Sequence, residues 1–184
     1  MSGAIQTFTG ALFDPLAPDP AAIEVEDIAH ALAHHCRFGG HSRVYYSVAQ
    51  HSCLVADAVE ASGAGTEATL WALLHDATEA YLVDLPHPLK HRSSLGVPFR
   101  AAEAVLQVAV CERFGLATDP PPIVKRVDRA ALAAERAVLM RSAPDAAWPE
   151  LDGIEPLAAE IEPWAPERAK AEFVERYRRL EAAR

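Results

Sequence analysis

Stretches whose apolar residues recur every three or four positions alternate along this chain with glycine and proline stops, and that spacing commits the fold to helices. Residues 24–36 set Ile28, Leu32 and Cys36 four apart, and a second helix is predicted over 47–62, stopped by Gly63 and Gly65. A third is predicted over 66–82 and ends at "DLPHPLK"; a fourth over 98–115 ends at Gly115. "DPPP" at 119–122 opens a long helix through about 141, since proline is tolerated in a first turn. Residues 166–182 form a terminal helix along Phe173, Tyr177 and Leu180, whose apolar face is either core or subunit contact. Residues 5–13, "IQTFTGALF", are short and β-branched, a strand or hairpin arm broken by "DPLAPDP". The expectation is one all-α domain over 1–184, a bundle of about six to seven helices with a short extended N-terminal segment.

Composition narrows the function. At 184 residues and 51% hydrophobic the chain can bury a real core, yet no run approaches the roughly 18–20 apolar residues of a membrane helix. No signal peptide is visible, and Cys36, Cys53 and Cys111 are odd in number and scattered, which predicts reduced thiols in a cytoplasmic protein. The formal charge of −9 argues against a long nucleic acid as ligand, because polyanion grooves need a surplus of Lys and Arg. A small anion held by a few local cations remains open.

The segment "ALLHDATEAYLVDLPHPLK" (72–90) carries the most informative polar residues. On a helix, Leu70, Leu73, Leu74, Ala77 and Tyr81 share one stripe, with His75, Asp76 and Glu79 opposite. A wet face would give the same pattern. But no Lys or Arg occurs from 66 to 89, and Ala68 and Ala72 leave room for another helix on the polar side. His51 lies within the stripe Val48, Val55 and Val59, and Asp128 is flanked by Val124 and Leu132. Taken alone, each reads as a hydrogen-bonded core residue. A buried carboxylate is costly unless paired or bound to a cation. A His, a His-Asp and an Asp on three helices satisfy one another if they surround a metal.

That order, carried by "YSVAQHS", "ALLHDATEAYLVDLPHPLK" and "VKRVDRAALAAE", resembles the HD-domain metal-dependent phosphohydrolases. Within the superfamily the chain is most similar to bacterial 5'-deoxynucleotidases and phage dATP triphosphohydrolases, over roughly residues 24–140. The resemblance implies His51, His75, Asp76 and Asp128 as ligands of one divalent transition-metal ion (Co, Mn, Zn, Fe or Ni), with Mg accompanying substrate phosphates. It implies Glu79 as the residue that orients or deprotonates the attacking water, and Asp84 as a second acidic site residue; Asp84 reads equally as a cap. Lys90 and Arg43 match basic positions expected near phosphate. Arg37 and Phe38, in the "CRFGG" loop, could bound or stack on a nucleobase, or Phe38 could be plain core.

The implied activity is hydrolysis of a phosphoester or phosphoanhydride in a (deoxy)nucleotide, by a homo-oligomer with no membrane partner. Two rivals stand beside it. A di-metal phosphodiesterase or oxygenase would take a second ion on His87 or His91, which are four apart, as are His30 and His34. A catalytically silent nucleotide-binding module would keep the fold without needing Glu79.

Overall fold

Ser47 starts the central helix, its hydroxyl accepting from the Gln50 amide at 3.1 Å, so that the next fourteen residues form α2 (Val48–Ala61). The computed structural model describes residues 3–143 and 147–184. Around α2 pack α1 (Val25–His34), α3 (Thr66–Leu73), α7 (Pro122–Leu139) and α8 (Pro166–Ala182). Between them run α4 (Glu79–Leu82), α5 (His87–Arg92) and α6 (Gly96–Phe114). The strands β1 (Ile5–Gln6) and β2 (Leu12–Phe13) form one antiparallel hairpin, pairing Ile5 with Phe13. The described fold is therefore all-α with a short extended N-terminal segment.

Gly115 closes α6 in the left-handed conformation (φ 61°), which lets the Leu116 amide reach back to the Cys111 carbonyl at 2.8 Å. Ile28, Leu32, Val55, Val59, Leu70, Leu73, Leu106 and Phe173 meet in the core with no exposed surface. The apolar face of α8, through Ala169, Phe173, Val174 and Leu180, is core of this chain. Before α8 the chain runs as an extended strap. The Gln50 amide grips it, donating to the Glu162 carbonyl at 2.7 Å and accepting from the Trp164 amide at 2.8 Å. No helix among the described residues is long and apolar enough to cross a membrane.

The third helix departs from expectation. It breaks after Leu73, and residues 74–78 turn before α4 begins. Through this break the Ala77, Glu79 and Ala80 amides reach back three residues, to Leu74, Asp76 and Ala77, and tighten the backbone. His75 and Asp76 thus sit at a helix end and not on a helix face.

Candidate metal centre

The break after α3 leaves carbonyls in its last turn without backbone donors. His75 uses one of them: its Nδ1 donates to the Ala72 carbonyl at 2.7 Å. That bond fixes the tautomer and leaves Nε2 buried, with no hydrogen-bond partner. Asp76 Oδ2 lies 3.2 Å from this nitrogen and Asp128 Oδ1 lies 3.9 Å from it. His51, fully buried on α2, is fixed the same way. Its Nδ1 donates to Glu135 Oε1 at 2.8 Å, which turns Nε2 to within 3.1 Å of Asp128 Oδ1 and 3.7 Å of Asp76 Oδ2.

The structure therefore brings together all four residues that the resemblance implied as ligands. Donor atoms of His51, His75 and Asp76 lie within 4.8 Å of one another, a cluster able to hold a metal ion, and Asp128 Oδ1 lies beside both imidazole nitrogens. Ligand atoms about 2.0–2.2 Å from one ion are roughly 3–3.5 Å apart, so modest tightening suffices. The donor chemistry fits as well, two imidazole nitrogens with two carboxylates, each imidazole held from behind.

The electrostatics agree. Burial and the Arg37 cation oppose a charge on His51, but Glu135 and Asp128 outweigh them and raise its pKa to about 9. Burial likewise opposes ionisation of Asp76, yet His75, His51 and Arg37 hold its carboxyl far below the ordinary range. Asp128 is lowered too, against its burial, chiefly by the hydrogen bond from His51. The same carboxylates that favour a proton on His51 would favour a cation between the two imidazoles, and binding one would release protons.

Glu79 opens α4 and is 8% exposed, with Oε2 unpartnered. Burial first, then the Asp76 and Asp84 charges, push its pKa well above the ordinary value. Asp84 is raised by burial and Asp76, with Arg37 opposing. Glu79, Asp84, Asp76 and Asp128 line one cavity of about 470 Å³, together with Arg37, Phe38, Lys90 and Trp148. Lys90 holds Glu103 at 2.5 Å, which keeps it charged against its burial.

Two of the basic positions sit differently from the sequence expectation. Arg37 faces the cavity but is committed to Glu135, through Nε at 3.1 Å and a second guanidinium nitrogen at 3.0 Å, with Asp76 Oδ2 3.8 Å away. Arg43 does not line the cavity. Its guanidinium donates to the Val138 carbonyl at 2.9 Å and its amide to Leu139 at 2.8 Å, because free carbonyls at the end of α7 attract cations. Phe38 adopts a left-handed backbone (φ 58°) that turns its ring toward Trp148, 6.2 Å away. The His87 and His91 rings lie 4.5 Å apart, tilted, on the cavity rim, with His87 3.9 Å from Glu150, while His30 stacks on both Phe8 and His34. Neither pair joins a third ligand closely enough to form a second cluster among the described residues.

Sequence reasoning passed over Glu135. It is fully buried and binds His51, Arg37 and the Tyr46 hydroxyl. The available signal was its place two helical turns beyond Asp128, an acid within the alanine-rich face "AALAAERAVL".

Fold and cluster together define an all-α protein with a His/Asp centre able to hold a metal ion. The chain belongs to the family of the Escherichia coli (strain K12) protein named uncharacterized protein YfdR, with 37% identity over 187 residues, covering 98% of this chain and 97% of that one. It is also 40% identical over 127 residues to uncharacterized protein RCAP_rcc00048 of Rhodobacter capsulatus, covering 67% of this chain and 64% of that one. No family model matches the chain.

Proposed function

We propose that this protein is a metal-dependent phosphohydrolase of the HD type acting on small (deoxy)nucleotides. One observation carries the reading: two imidazoles with Nδ1 already spent turn Nε2 toward two carboxylates, at the floor of an open cavity that also holds a buried, unpartnered Glu79 oxygen. A silent binding module gains nothing from leaving such a group without a partner, since burial of an unsatisfied carboxylate oxygen is unfavourable.

His51, His75, Asp76 and Asp128 would hold the ion. Such an ion supplies Lewis-acid polarisation of a phosphoryl oxygen and a water acidified toward neutrality. Glu79, among the described residues the one cavity carboxylate with an unpartnered buried oxygen, would orient that water and accept its proton. Lys90 offsets negative charge developing on the phosphoryl oxygens. Asp84 keeps Glu79 basic through its own charge. Arg37 acts through Glu135 on the geometry of His51, and Phe38 with Trp148 forms an apolar lip suited to a base.

The test is a panel of nucleoside mono-, di- and triphosphates against Co, Mn, Zn, Fe, Ni and Mg ions, with products separated by chromatography. Release of phosphate, pyrophosphate or triphosphate from a deoxynucleotide, dependent on the ion, is expected. Absence of turnover throughout the panel, with an ion demonstrably bound, would overturn the reading. The di-metal alternative rests on His87 and His91 at the same cavity and requires two ions per chain.

A further inference from the structure

The inward face of α6 changes character along its length. On the second half Leu106, Val110 and Phe114 are buried in the core, while Val97, Val105 and Val108 are exposed on the other side. On the first half the same inward face carries Gly96, Phe99, Arg100 and Glu103, which share one stripe at helical spacing. All four meet a single residue of α5, Lys90. Gly96 packs so closely on the Lys90 main chain that a Cβ there would collide with its carbonyl, and the Arg100 guanidinium donates to that same carbonyl. The Phe99 ring lies 5.8 Å from the ammonium, and Glu103 Oε1 accepts from Nζ at 2.5 Å.

We propose that Glu103 is a positioning residue, aiming the Lys90 ammonium at a phosphoryl group in the cavity, with the first two turns of α6 as the frame that holds it. The inference rests on the phosphohydrolase reading and names a residue that reading does not use. Lys90 lines the cavity and Glu103 does not, so the carboxylate grips the ammonium from outside the space a substrate would fill. The Glu79 and Asp76 charges act on the same ammonium, which places it between Glu103 and the cavity floor.

A lysine on a flexible four-carbon stem loses much rotamer freedom when it is fixed at a ligand. Here that ordering is done before any ligand arrives. The main chain is gripped at its carbonyl, the ring stands beside the ammonium, and the carboxylate holds the tip. An ammonium has three N–H donors, and Glu103 takes one, which leaves others for phosphoryl oxygens. A donor already in place where charge develops needs no reorganisation during the reaction. The short helix α5 buries none of its own residues, so the place of Lys90 is taken from α6.

The experiment compares the full chain with Glu103→Ala, Glu103→Gln, Lys90→Met and the double variant Lys90→Met/Glu103→Ala, with circular dichroism, a melting curve and ion content as controls. On the nucleotide turned over fastest, Glu103→Ala should keep its ion and lose roughly 10–100-fold in kcat/KM. Glu103→Gln keeps an acceptor in the same place and should lose severalfold less. The double variant should be no slower than Lys90→Met, because Glu103 acts only through Lys90. A residue that merely supported the fold would multiply its loss into the double variant, and that result, or parent kcat/KM in Glu103→Ala, would overturn the inference. A second probe needs no turnover: inorganic phosphate titrated calorimetrically into the manganese-loaded chain should bind more weakly to Glu103→Ala and Lys90→Met than to the parent. Phosphate binding that depends on both residues, in a chain that hydrolyses no nucleotide, would overturn the hydrolase reading and leave this inference standing. Equal phosphate affinity in the parent and both variants would overturn the inference whatever the turnover.

Discussion

Glu135 accepts a 2.8 Å hydrogen bond from Nδ1 of His51, across 84 residues of sequence, with neither side chain exposed to solvent. The carboxylate is held in turn by the Arg37 guanidinium and the Tyr46 hydroxyl. One buried anion thus fixes the tautomer of an imidazole in the His/Asp cluster and neutralises a cation beside the cavity. Glu135→Gln keeps the shape and should fold, but should weaken divalent-ion binding roughly 10–100-fold, as read by competition with a chelator. Glu135→Ala leaves Arg37 without its main counter-charge and should cost about 3–5 kcal/mol of stability in denaturant unfolding. Unchanged ion affinity in Glu135→Gln would remove Glu135 from the centre.

Asp128→Ala removes a carboxylate that lies 3.1 Å from His51 Nε2. Elemental analysis of the purified variant should show the ion largely lost, and with it any turnover. Full occupancy would mean that Asp128 is not a ligand.

Glu79→Gln should separate binding from chemistry. The amide fills the same buried volume and removes the carboxylate repulsion toward Asp76 and Asp84, so fold and ion should both be retained. Loss of the basic oxygen should lower kcat by a factor of about 10²–10⁴ with little change in ion content. Near-normal turnover would reduce Glu79 to a supporting role.

Lys90 and Arg43 should behave differently although both looked equally suited to phosphate in the sequence. Lys90 lines the cavity, while Arg43 is spent on Val138 at the end of α7. Lys90→Met should raise KM or lower kcat on a nucleotide with the ion still in place. Arg43→Met should leave both constants within about twofold and touch only the loop's attachment, a surface effect of roughly 0.5 kcal/mol. Equal kinetic losses in the two variants would contradict this placement.

How far the sequence could be read follows from which residues carry their own periodic signal. His51 interrupts the stripe Val48, Val55 and Val59, and Asp128 sits between Val124 and Leu132, so both announced themselves as polar groups in apolar surroundings. The break at 74–78 did not, because the apolar period from Leu70 to Tyr81 continues through it and no glycine or proline marks it. Its cause is tertiary, with His75 drawn onto the Ala72 carbonyl and Asp76 toward both imidazoles. Arg43 was misplaced for a related reason. Its neighbours Gly39 and Gly40 suggested a ligand loop, but what it binds is set by α7, nearly a hundred residues later. Helical spacing located α6 but gave no means to see that its two apolar faces would meet different partners, one the core and one solvent.

The last prediction concerns acid stability of the terminal helix. Arg179 on α8 grips Glu60 at the end of α2 through two guanidinium nitrogens, at 2.5 and 2.7 Å. That hydrogen bonding, against slight burial, lowers the Glu60 pKa below its ordinary value. A carboxyl whose folded-state pKa is depressed contributes stability that is fully present above its unfolded pKa and is lost as pH falls through the folded value. The pair is largely exposed, so its contribution at pH 7 is of the order of 0.2–1 kcal/mol. Arg179→Leu should therefore be slightly less stable than the parent chain at pH 7, and the difference should shrink as the solution is taken below the ordinary carboxyl range. Paired urea titrations from pH 7 down to about 3 read this directly, with Glu60→Gln expected to abolish the pH dependence of the difference. A gap between parent and Arg179→Leu that stays constant across the series would show that Arg179 supports α8 by packing and not through the Glu60 charge.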